Sequence, residues 1–356
     1  MKMIKPLLFI TILSGLSAAS RAAFQNSSDE VSQNPAASTG PEPAVSPSPA
    51  STVRALIEWD DLEPGKGPVY GQDWSPDGRL IATADYDVVR LWDQQLRREV
   101  GVLLGHSDFI RDVAWSPDGA GILASCSQDG SLRLWDGQAF SQLAVIDCGA
   151  ANCLAWAPSG QHLAVGAQSG RVQIWQVAEM RRLHLWNNAE NSPILCLDWS
   201  PRGRLIAIGD QQGAIYLFDA SRGELQRTLV DRAPGSEPVN GLAWAPDGQL
   251  IASAHPDGRV HWWEVPSGRL LRISQAHEGW ARGLAWSPNG QLLASTGQDK
   301  HIRLWQTQTG QLYAQEKHNF LPVWSVSWSP EGEKVASGAG AFDQPHTGAT
   351  VVWTVP

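Results

Sequence analysis

The sequence predicts an all-β repeat protein, because one short phrase recurs along it and strand-like runs fill the intervals. The phrase is a tryptophan followed by Ser or Ala, then Pro, one variable residue and Gly. We call its first residue the marker tryptophan; the seven are Trp74, Trp115, Trp156, Trp199, Trp244, Trp286 and Trp328. They are separated by 41, 41, 43, 45, 42 and 42 residues. Seven units of that length, each with four short strands, predict a seven-bladed β-propeller with four-stranded antiparallel blades.

The second repeat shows the predicted blade best. Strand-like runs occupy residues 110–115, 121–127, 132–135 and 142–146. Between the first two runs, Ser116-Pro117-Asp118-Gly119 places Ser, Pro and Gly at the corners where a type I β-turn accepts them. Gln128-Asp129-Gly130 forms the next tight turn. No segment has a helical period, so every regular element is predicted to be a strand.

The last repeat is one strand short. It has strand-like runs at residues 323–328, 334–338 and 350–355, after which the chain stops. Upstream of the first marker, residues 53–58 read Val-Arg-Ala-Leu-Ile-Glu, which resembles the fourth strand of other repeats. We therefore predict that the N-terminal strand 52–58 completes the last blade and closes the ring without leaving a raw edge. Its deletion is expected to destabilise the whole ring.

Short motifs at the strand ends add a family resemblance. Trp92-Asp93 and Trp135-Asp136 end third strands, and Gly105-His106 precedes a first strand. With these motifs, everything after residue 52 resembles the WD-repeat β-propeller family, as a bacterial-type secreted member. The resemblance implies two hydrogen-bonded structural tetrads: His106, Ser125, Asp129 and Trp135 in the second repeat, and His277, Ser295, Asp299 and Trp305 in the sixth. The fifth repeat keeps Ser253, Asp257 and Trp263 without the His, and the other repeats are more degenerate.

Tryptophan is heavily used, with 18 in the chain. Seven are markers, and six more lie near third-strand ends, where the fourth repeat has Phe218. The repeat architecture does not explain the remaining five, which are Trp59, Trp186, Trp262, Trp280 and Trp324.

The N-terminal residues differ from the repeats. Residues 1–22 have a basic start at Lys2 and Lys5, a short apolar core and small residues, as a secretory signal peptide has. Residues 23–51 are rich in Ser, Ala and Pro and are predicted to form a disordered linker before the propeller of residues 52–356. We expect a secreted or periplasmic protein; an uncleaved N-terminal membrane anchor is the alternative, and no other segment is expected to span a membrane.

The composition argues against several classes of function. The net charge is −9, and no run of Lys or Arg is longer than a pair, so a basic stripe for nucleic acid is missing. There is no Gly-X-Ser-X-Gly elbow and no phosphate-binding glycine loop. His255 and His261 flank one hairpin turn, but the sequence places no further metal ligands beside them. We predict no catalytic residues, no metal, no cofactor and no nucleic-acid partner.

The four cysteines lack zinc-site spacing. Cys126 and Cys196 are interpreted as small core residues. Cys148 and Cys153 flank one short connection, and a disulfide between them stays open as an alternative in an oxidising compartment.

The residues that differ between repeats indicate where a partner binds. In the resembling family, peptides commonly bind the face that carries the inter-blade connections and the second-to-third-strand turns, here called the upper face. We call the residue four before each marker the channel position and the residue two earlier the rim position. The predicted protein-binding face consists of Tyr70, Phe109, Arg111, Asn152, Asn240, Trp280, Arg282 and Trp324. Packing of some of these aromatic rings under neighbouring loops is the alternative. An insertion at residues 342–346 is expected on the same face, as a binding feature or as a long loop.

The leading functional hypothesis is a non-catalytic protein-interaction scaffold of the periplasm or cell exterior, which binds an unidentified peptide or protein surface. The alternative is a propeller enzyme or a small-ligand-binding protein with its site at the central channel. Asp73 and Asp198, each directly before a marker, are the sequence features that favour this alternative. A role in envelope assembly is a third possibility.

Overall fold

The computed structural model describes residues 54–58, 67–188, 191–230, 237–318, 321–341 and 348–355. Every regular element in these ranges is a β-strand, and the strands form seven four-stranded antiparallel sheets. The predicted fold class, a seven-bladed β-propeller, is confirmed. The predicted signal peptide, the predicted linker, Trp59 and the insertion at residues 342–346 lie outside the described residues.

Blades are numbered as the repeats are, and the strands of each blade run outward from the centre in chain order. Blade 1 consists of β2 (Val69–Trp74), β3 (Leu80–Asp85), β4 (Val88–Asp93) and β5 (Arg98–Leu104). Blade 2 consists of β6 (Ile110–Trp115), β7 (Ile122–Ser127), β8 (Ser131–Asp136) and β9 (Ser141–Asp147). Blade 3 consists of β10 (Ala151–Trp156), β11 (His162–Ala167), β12 (Arg171–Gln176) and β13 (Arg181–Asn187). Blade 4 consists of β14 (Ile194–Trp199), β15 (Leu205–Asp210), β16 (Ala214–Asp219) and β17 (Glu224–Val230).

The remaining blades follow the same plan until the chain ends. Blade 5 consists of β18 (Gly241–Trp244), β19 (Leu250–Ala254), β20 (Arg259–Glu264) and β21 (Arg269–Gln275). Blade 6 consists of β22 (Ala281–Trp286), β23 (Leu292–Gly297), β24 (His301–Gln306) and β25 (Leu312–Lys317). Blade 7 takes β26 (Val323–Trp328), β27 (Lys334–Ala339) and β28 (Ala349–Thr354) from the end of the chain, and β1 (Arg54–Glu58) from its beginning.

The pairing of β1 with β28 closes the ring. The two strands are antiparallel, with Arg54 opposite Thr354 and Glu58 opposite Val351. The predicted closing strand is therefore confirmed for residues 54–58. The innermost strands contact one another around a complete circuit, from β2 through β6, β10, β14, β18, β22 and β26 back to β2.

The turns between first and second strands explain why the marker phrase recurs. In blade 1 the N–H of Gly78 donates to the Ser75 carbonyl at 2.8 Å. The Ser75 hydroxyl donates to Asp77 at 2.6 Å and accepts the N–H of Leu80 at 2.8 Å. Gly78 has φ 69°, in the left-handed region that glycine adopts without strain. These turns lie at the end of the blades opposite the upper face, which we call the lower face.

The marker tryptophans join each blade to the preceding one. The ring of Trp115 packs in a cluster with Val89 and Leu91 of blade 1. The indole N–H of Trp156 donates to the Ala114 carbonyl of blade 2 at 3.0 Å. The same kind of bond links Trp244 to Asp198, Trp286 to Ala243 and Trp328 to Ala285. Four markers therefore combine apolar burial with a hydrogen bond between blades, whereas the Trp199 indole donates to Gly203 in its own blade and those of Trp74 and Trp115 have no partner among the described residues.

Inner strands approach each other most closely three residues before the marker. A Cβ on Gly71 would lie 2.7 Å from the Cα of Asp112 in the next blade, and one on Gly241 would overlap the Arg282 carbonyl. Blades 3 and 4 place Cys153 and Cys196 at this position, and both side chains are buried. The position therefore selects small side chains, which accounts for these two cysteines as packing residues.

Candidate interaction face and the channel beneath it

The channel position coincides with a β-bulge in most blades. The pairing between first and second strands shifts across the channel position in six blades, at Val69/Gln72, Ile110/Asp112, Ala151/Cys153, Ile194/Cys196, Ala281/Leu284 and Val323/Ser325. In blade 5, β18 begins directly after the channel position Asn240. A bulge releases a side chain from the alternation of the sheet, so these residues need not pack between blades.

Two arginines from different blades converge on the aromatic side chains of blades 1 and 7. The guanidinium carbon of Arg111, from blade 2, lies 4.4 Å from the centre of the Tyr70 ring. That of Arg282, from blade 6, lies 5.8 Å from the same ring and 5.1 Å from the Trp324 ring. The Tyr70 and Trp324 rings are 6.5 Å apart. Four of the predicted face residues therefore form one cluster, held by cation–π contacts, which we call the channel cluster.

The channel cluster carries two positive charges in a poorly solvated place. Burial and, to a smaller extent, the positive charge of Arg111 lower the pKa of Arg282 to about 10. The Nε of Arg111 is buried without a hydrogen-bond partner among the described residues. Burial also raises the pKa of the Tyr70 hydroxyl, so Tyr70 stays neutral beside the arginines at physiological pH.

The structure buries two residues that the sequence placed on the binding face. Trp324 is 4 % exposed and Tyr70 is 8 % exposed. The reason for Trp324 is that its indole N–H donates to the Gly340 carbonyl at 2.7 Å, which fixes the ring under the upper end of blade 7. For Trp324 and Tyr70 the packing alternative is therefore correct, and the exposed part of the face is narrower than predicted.

Asn152 and Asn240 use their amide groups between blades. The Asn152 side-chain N–H donates to the Ile194 carbonyl at 2.8 Å, and its carbonyl oxygen accepts from Gln128 at 2.9 Å. The Asn240 side-chain N–H donates to the Ala281 carbonyl at 3.2 Å. These bonds tie the channel position of one blade to the inner strand of the next, which is a structural use of both residues.

The exposed aromatic surface lies at the rim positions of blades 2 and 6. Trp280 is 37 % exposed, and its carbonyl accepts the N–H of Gln298 at 2.8 Å. The Phe109 carbonyl accepts the N–H of Gln128 at 2.9 Å. The Phe109 ring is partly buried and lies 4.4 Å from the Tyr86 ring. The backbone of both rim residues is therefore fixed, so their rings are presented at little entropic cost.

Three carboxylates line the junctions between inner strands. Each accepts the N–H of the following residue with one oxygen and an N–H of the next blade with the other. The inter-blade bonds run from Trp115 to Asp73 at 2.8 Å, from Leu154 to Asp112 at 3.0 Å and from Trp244 to Asp198 at 2.7 Å. Burial raises the pKa of all three to about 7, against the effect of these bonds. The sequence singled out Asp73 and Asp198 but missed Asp112, which lies three residues before its marker instead of one.

Comparison with known proteins assigns the family. Five stretches match the model described as WD domain, G-beta repeat: residues 62–93, 97–136, 142–176, 268–306 and 310–344, about half of the chain. The chain belongs to the WD-repeat family. Residues 181–234 and 230–280, between these stretches, match the model described as Anaphase-promoting complex subunit 4 WD40 domain.

Curated WD-repeat relatives match over part of the chain. Cytoplasmic dynein 1 intermediate chain of Drosophila melanogaster is 30% identical over 32% of this chain and 19% of its own length. Protein transport protein sec13 of Emericella nidulans is 30% identical over 37% of this chain and 43% of its own. THO complex subunit 3 of Arabidopsis thaliana is 26% identical over 33% of this chain and 40% of its own length. The chain thus spans less than half of each relative. All three are eukaryotic proteins, so these matches do not bear on the expectation of a bacterial-type secreted member.

The WD-repeat tetrads of blades 2 and 6 are complete in the structure. In blade 2, His106 Nδ1 lies 2.9 Å from Asp129, and its Nε2 lies 2.7 Å from the Ser125 hydroxyl, to which Trp135 donates at 2.8 Å. In blade 6 the distances from His277 to Asp299, from His277 to Ser295 and from Trp305 to Ser295 are all 2.8 Å.

The electrostatics of these tetrads follow from burial and hydrogen bonding. Burial lowers the pKa of His106 and of His277, which favours the neutral imidazole. For Asp129 burial acts in the opposite sense, but hydrogen bonds from Ser131, Ser107 and His106 lower its pKa to about 2. The pKa of Asp299 is lowered in the same way by His277 and Arg303, although burial opposes them. Each tetrad therefore holds an ionised carboxylate beside a neutral imidazole.

The other WD-repeat blades keep fragments of the tetrad that the sequence spacing concealed. His318 in blade 7 is 1 % exposed, and its ring lies 6.2 Å from that of Trp353 at 65°. His106 and Trp135 have nearly the same relation, 6.2 Å and 64°. His318 precedes its marker by ten residues instead of nine, which is why a fixed spacing missed it.

Blades 4 and 5 replace the missing tetrad histidine in different ways. In blade 4, the buried Asn188 side chain donates to Asp210 at 3.3 Å, in the place of a histidine. In blade 5, His255 from the hairpin lies 2.9 Å from Ser253, to which Trp263 donates at 2.9 Å. A hydrogen-bonded upper end is therefore more widespread than the sequence motif.

The structure also shows the residues on which a disulfide or a metal site would depend. All four cysteines are described, and each is a buried free thiol, so Cys148 and Cys153 are not joined. The His255 and His261 rings are buried, with centres 4.1 Å apart and planes tilted by 33°. Within the described ranges no three His, Cys, Asp or Glu side chains are grouped to hold a metal ion.

Proposed function

We propose that this WD-repeat protein is a non-catalytic scaffold that binds a peptide or protein surface on its upper face. The observation that carries the proposal is Trp280, a 37 % exposed tryptophan on a hydrogen-bonded loop beside the channel cluster. Trp and Arg are the residue types most enriched at binding hot spots, and Arg282 follows Trp280 by two residues. The names of the relatives, which refer to transport and to a complex subunit, support a role in assembly.

The enzyme alternative receives less support. Asp73 and Asp198 were its sequence basis, and both oxygens of each carboxylate accept backbone N–H groups. Each carboxylate thus joins the inner strands of two neighbouring blades, which gives both residues a structural use.

The test compares capture of binding partners by the wild type and by two variants that each lose one aromatic ring of the same fractional exposure. Trp280→Ala removes the ring from the upper face. Phe140→Ala, at the turn between β8 and β9 on the lower face, is the matched control, because Phe140 is also 37 % exposed. Loss of a hot-spot tryptophan typically costs about 2 kcal/mol, or roughly 30-fold in affinity. Partners cross-linked in the native compartment and quantified by mass spectrometry should be lost with Trp280→Ala and kept with Phe140→Ala. Equal capture by all three proteins would refute the proposal that partners bind the upper face at Trp280.

The proposal places the scaffold in the periplasm or outside the cell. It rests on residues 1–22, whose basic start, apolar core and small residues have the order of a signal peptide. Sequencing of the N-terminus of the native protein tests this, because a mature chain that still begins at Met1 would contradict cleavage.

A further inference from the structure

We propose that Arg111 and Arg282 form an anion subsite that receives the carboxylate side chain of an acidic residue in the bound peptide. The inference rests on the proposed function and adds the chemistry of the partner to it. Three observations carry it: the geometry of the two guanidinium groups, their lack of internal counter-ions, and the aromatic residues above them.

The first observation is that the two arginines approach one aromatic floor from different blades. Tyr70 lies under both guanidinium groups, at 4.4 Å and 5.8 Å, and Trp324 lies under that of Arg282 at 5.1 Å. Stacking fixes the plane of a guanidinium, and its edge N–H groups, apart from the one that Arg111 uses with the Tyr70 hydroxyl, remain for an acceptor. Two such edges close together match the two oxygens of a carboxylate.

The second observation is that this pair lacks a counter-ion where comparable arginines have one. Arg90 and Arg303 have side chains only 19% and 15% exposed, and they bind Asp85 and Asp299 respectively at 2.6 Å. Among the described residues, neither Arg111 nor Arg282 takes part in an ion pair, and Arg111 Nε is buried without a partner.

Among the described residues no carboxylate forms an ion pair with either arginine, although burial raises the pKa of Asp112 and the charge of Arg111 opposes that rise. Asp112 adjoins Arg111 in sequence, but its two oxygens accept the N–H groups of Val113 and Leu154 at 2.9 and 3.0 Å. Two like charges that share a desolvated site repel each other, and an incoming carboxylate relieves that repulsion.

The third observation is that blades 2 and 6 combine an aromatic rim residue with a channel arginine. The sequences are Phe109-Ile110-Arg111 and Trp280-Ala281-Arg282. The other five rim positions hold Pro or Ala. These are also the two blades with complete tetrads, in which His106 and His277 anchor the start of the connecting loop. A peptide that lies across the rim rings can therefore place one side chain between the arginines.

The acidic charge of the whole protein does not exclude an acidic ligand. The net charge of −9 is distributed over the chain, and charges farther away than about 8 Å are largely screened at physiological ionic strength.

The experiment selects ligands from a displayed library of random heptapeptides with the purified protein. For the wild type we expect enrichment of Asp or Glu at one position, next to apolar or aromatic residues. A synthetic peptide from this selection should bind about tenfold more tightly than its Glu→Gln or Asp→Asn counterpart, as measured by fluorescence anisotropy. The Arg111→Gln/Arg282→Gln variant should lose this preference while keeping the apolar selection. Arg202→Gln, in a lower-face turn, removes a comparable charge and should leave the preference unchanged.

The outcomes separate the two proposals. Peptides selected without an acidic position, or an acidic preference that survives in the double glutamine variant, would overturn the anion subsite and leave the interaction face standing. Failure of the wild type to select any peptide would overturn the anion subsite, while the interaction face is tested separately by the loss of captured partners with Trp280→Ala. If the double glutamine variant does not fold, Arg111→Lys/Arg282→Lys keeps the charge without the planar fork; a reduced preference supports the proposal, and an unchanged preference counts against bidentate recognition.

Discussion

The hydroxyl of Ser125 links two side chains that the sequence places far apart. It lies 2.7 Å from His106 Nε2 and accepts the indole N–H of Trp135 at 2.8 Å. The corresponding residue in blade 3 is Val165, which cannot accept, and Trp175 Nε1 is buried there without a partner among the described residues. Blade 4 has Ile208 and Phe218 at the two positions. The indole is thus accompanied by a hydroxyl in some blades and has lost its polar role in others.

This contrast predicts different costs for the same substitution in two blades. Trp135→Phe removes a buried hydrogen bond as well as ring volume, whereas Trp175→Phe removes ring volume and weakens the contact of the ring with Arg182 but breaks no hydrogen bond. We expect Trp135→Phe to lower the free energy of unfolding by about 1 kcal/mol more than Trp175→Phe does. Urea denaturation of both variants measures the difference. Equal losses would show that the indole–hydroxyl bond contributes nothing net.

Individual exposures were the least predictable property of the site. Trp280 and Trp324 were selected by the same reasoning, yet one is 37 % exposed and the other 4 %. The difference arises because Trp324 donates to the Gly340 carbonyl, a contact between residues 16 apart in blade 7. No local pattern encodes that bond. By contrast, the resemblance to the WD-repeat family, applied at the spacing of His106 and His277 from their markers, predicted that the four members of each tetrad lie together, as they do.

At the scale of the strands, the inner strands are joined by buried carboxylates. Asp198 of β14 accepts the N–H groups of Trp199 and of Trp244 in β18, so one side chain links blades 4 and 5. Burial raises its pKa from 3.8 to about 7. Since the folded protein then binds the proton more tightly than the unfolded chain does, the contribution of Asp198 to stability is greatest below about pH 4 and declines as the pH rises through 7.

Asp198→Asn should therefore be most costly in acid. Asn keeps one acceptor oxygen, loses the second and does not titrate. The difference in free energy of unfolding between the variant and the wild type should therefore shrink between about pH 5 and pH 8, by about 1 kcal/mol or more. Chemical denaturation at both pH values measures it. Asp77→Asn is the control: the Ser75 hydroxyl lowers the pKa of Asp77, which is ionised in both states over this range, so its cost should stay constant. A pH-independent cost for Asp198→Asn would contradict the raised pKa.

The strand boundaries of the second repeat were predictable to within about one residue, whereas the positions of the β-bulges were not. The second repeat was predicted to have strands at residues 110–115, 121–127, 132–135 and 142–146, and β6 to β9 occupy nearly the same positions. Apolar alternation and turn residues are local signals, so they fix these boundaries. The bulge at Arg111 has no comparable signal, because it depends on how β6 meets β7 and the neighbouring inner strands.

For the molecule as a whole, the repeat period predicted the number of blades, and the absence of a fourth strand in the last repeat predicted that the N-terminal strand closes the ring. The prediction is that a chain without residues 1–58 melts at a lower temperature than one without residues 1–51. Removal of β1 leaves β28 as an unpaired edge, which favours aggregation as well as unfolding. Differential scanning calorimetry with light scattering measures both effects. Identical melting of the two shortened chains would show that β1 does not stabilise the ring.

The pairing of β1 with β28 also sets the order in which the protein can be completed during synthesis. Blades 1 to 6 are each contiguous in sequence, so each can form its sheet soon after it leaves the ribosome. Blade 7 alone needs strands from both ends of the chain, and β1 emerges first but must wait for β28. The first described strand is thus among the last to be placed, because the ring cannot close before β28 has been made.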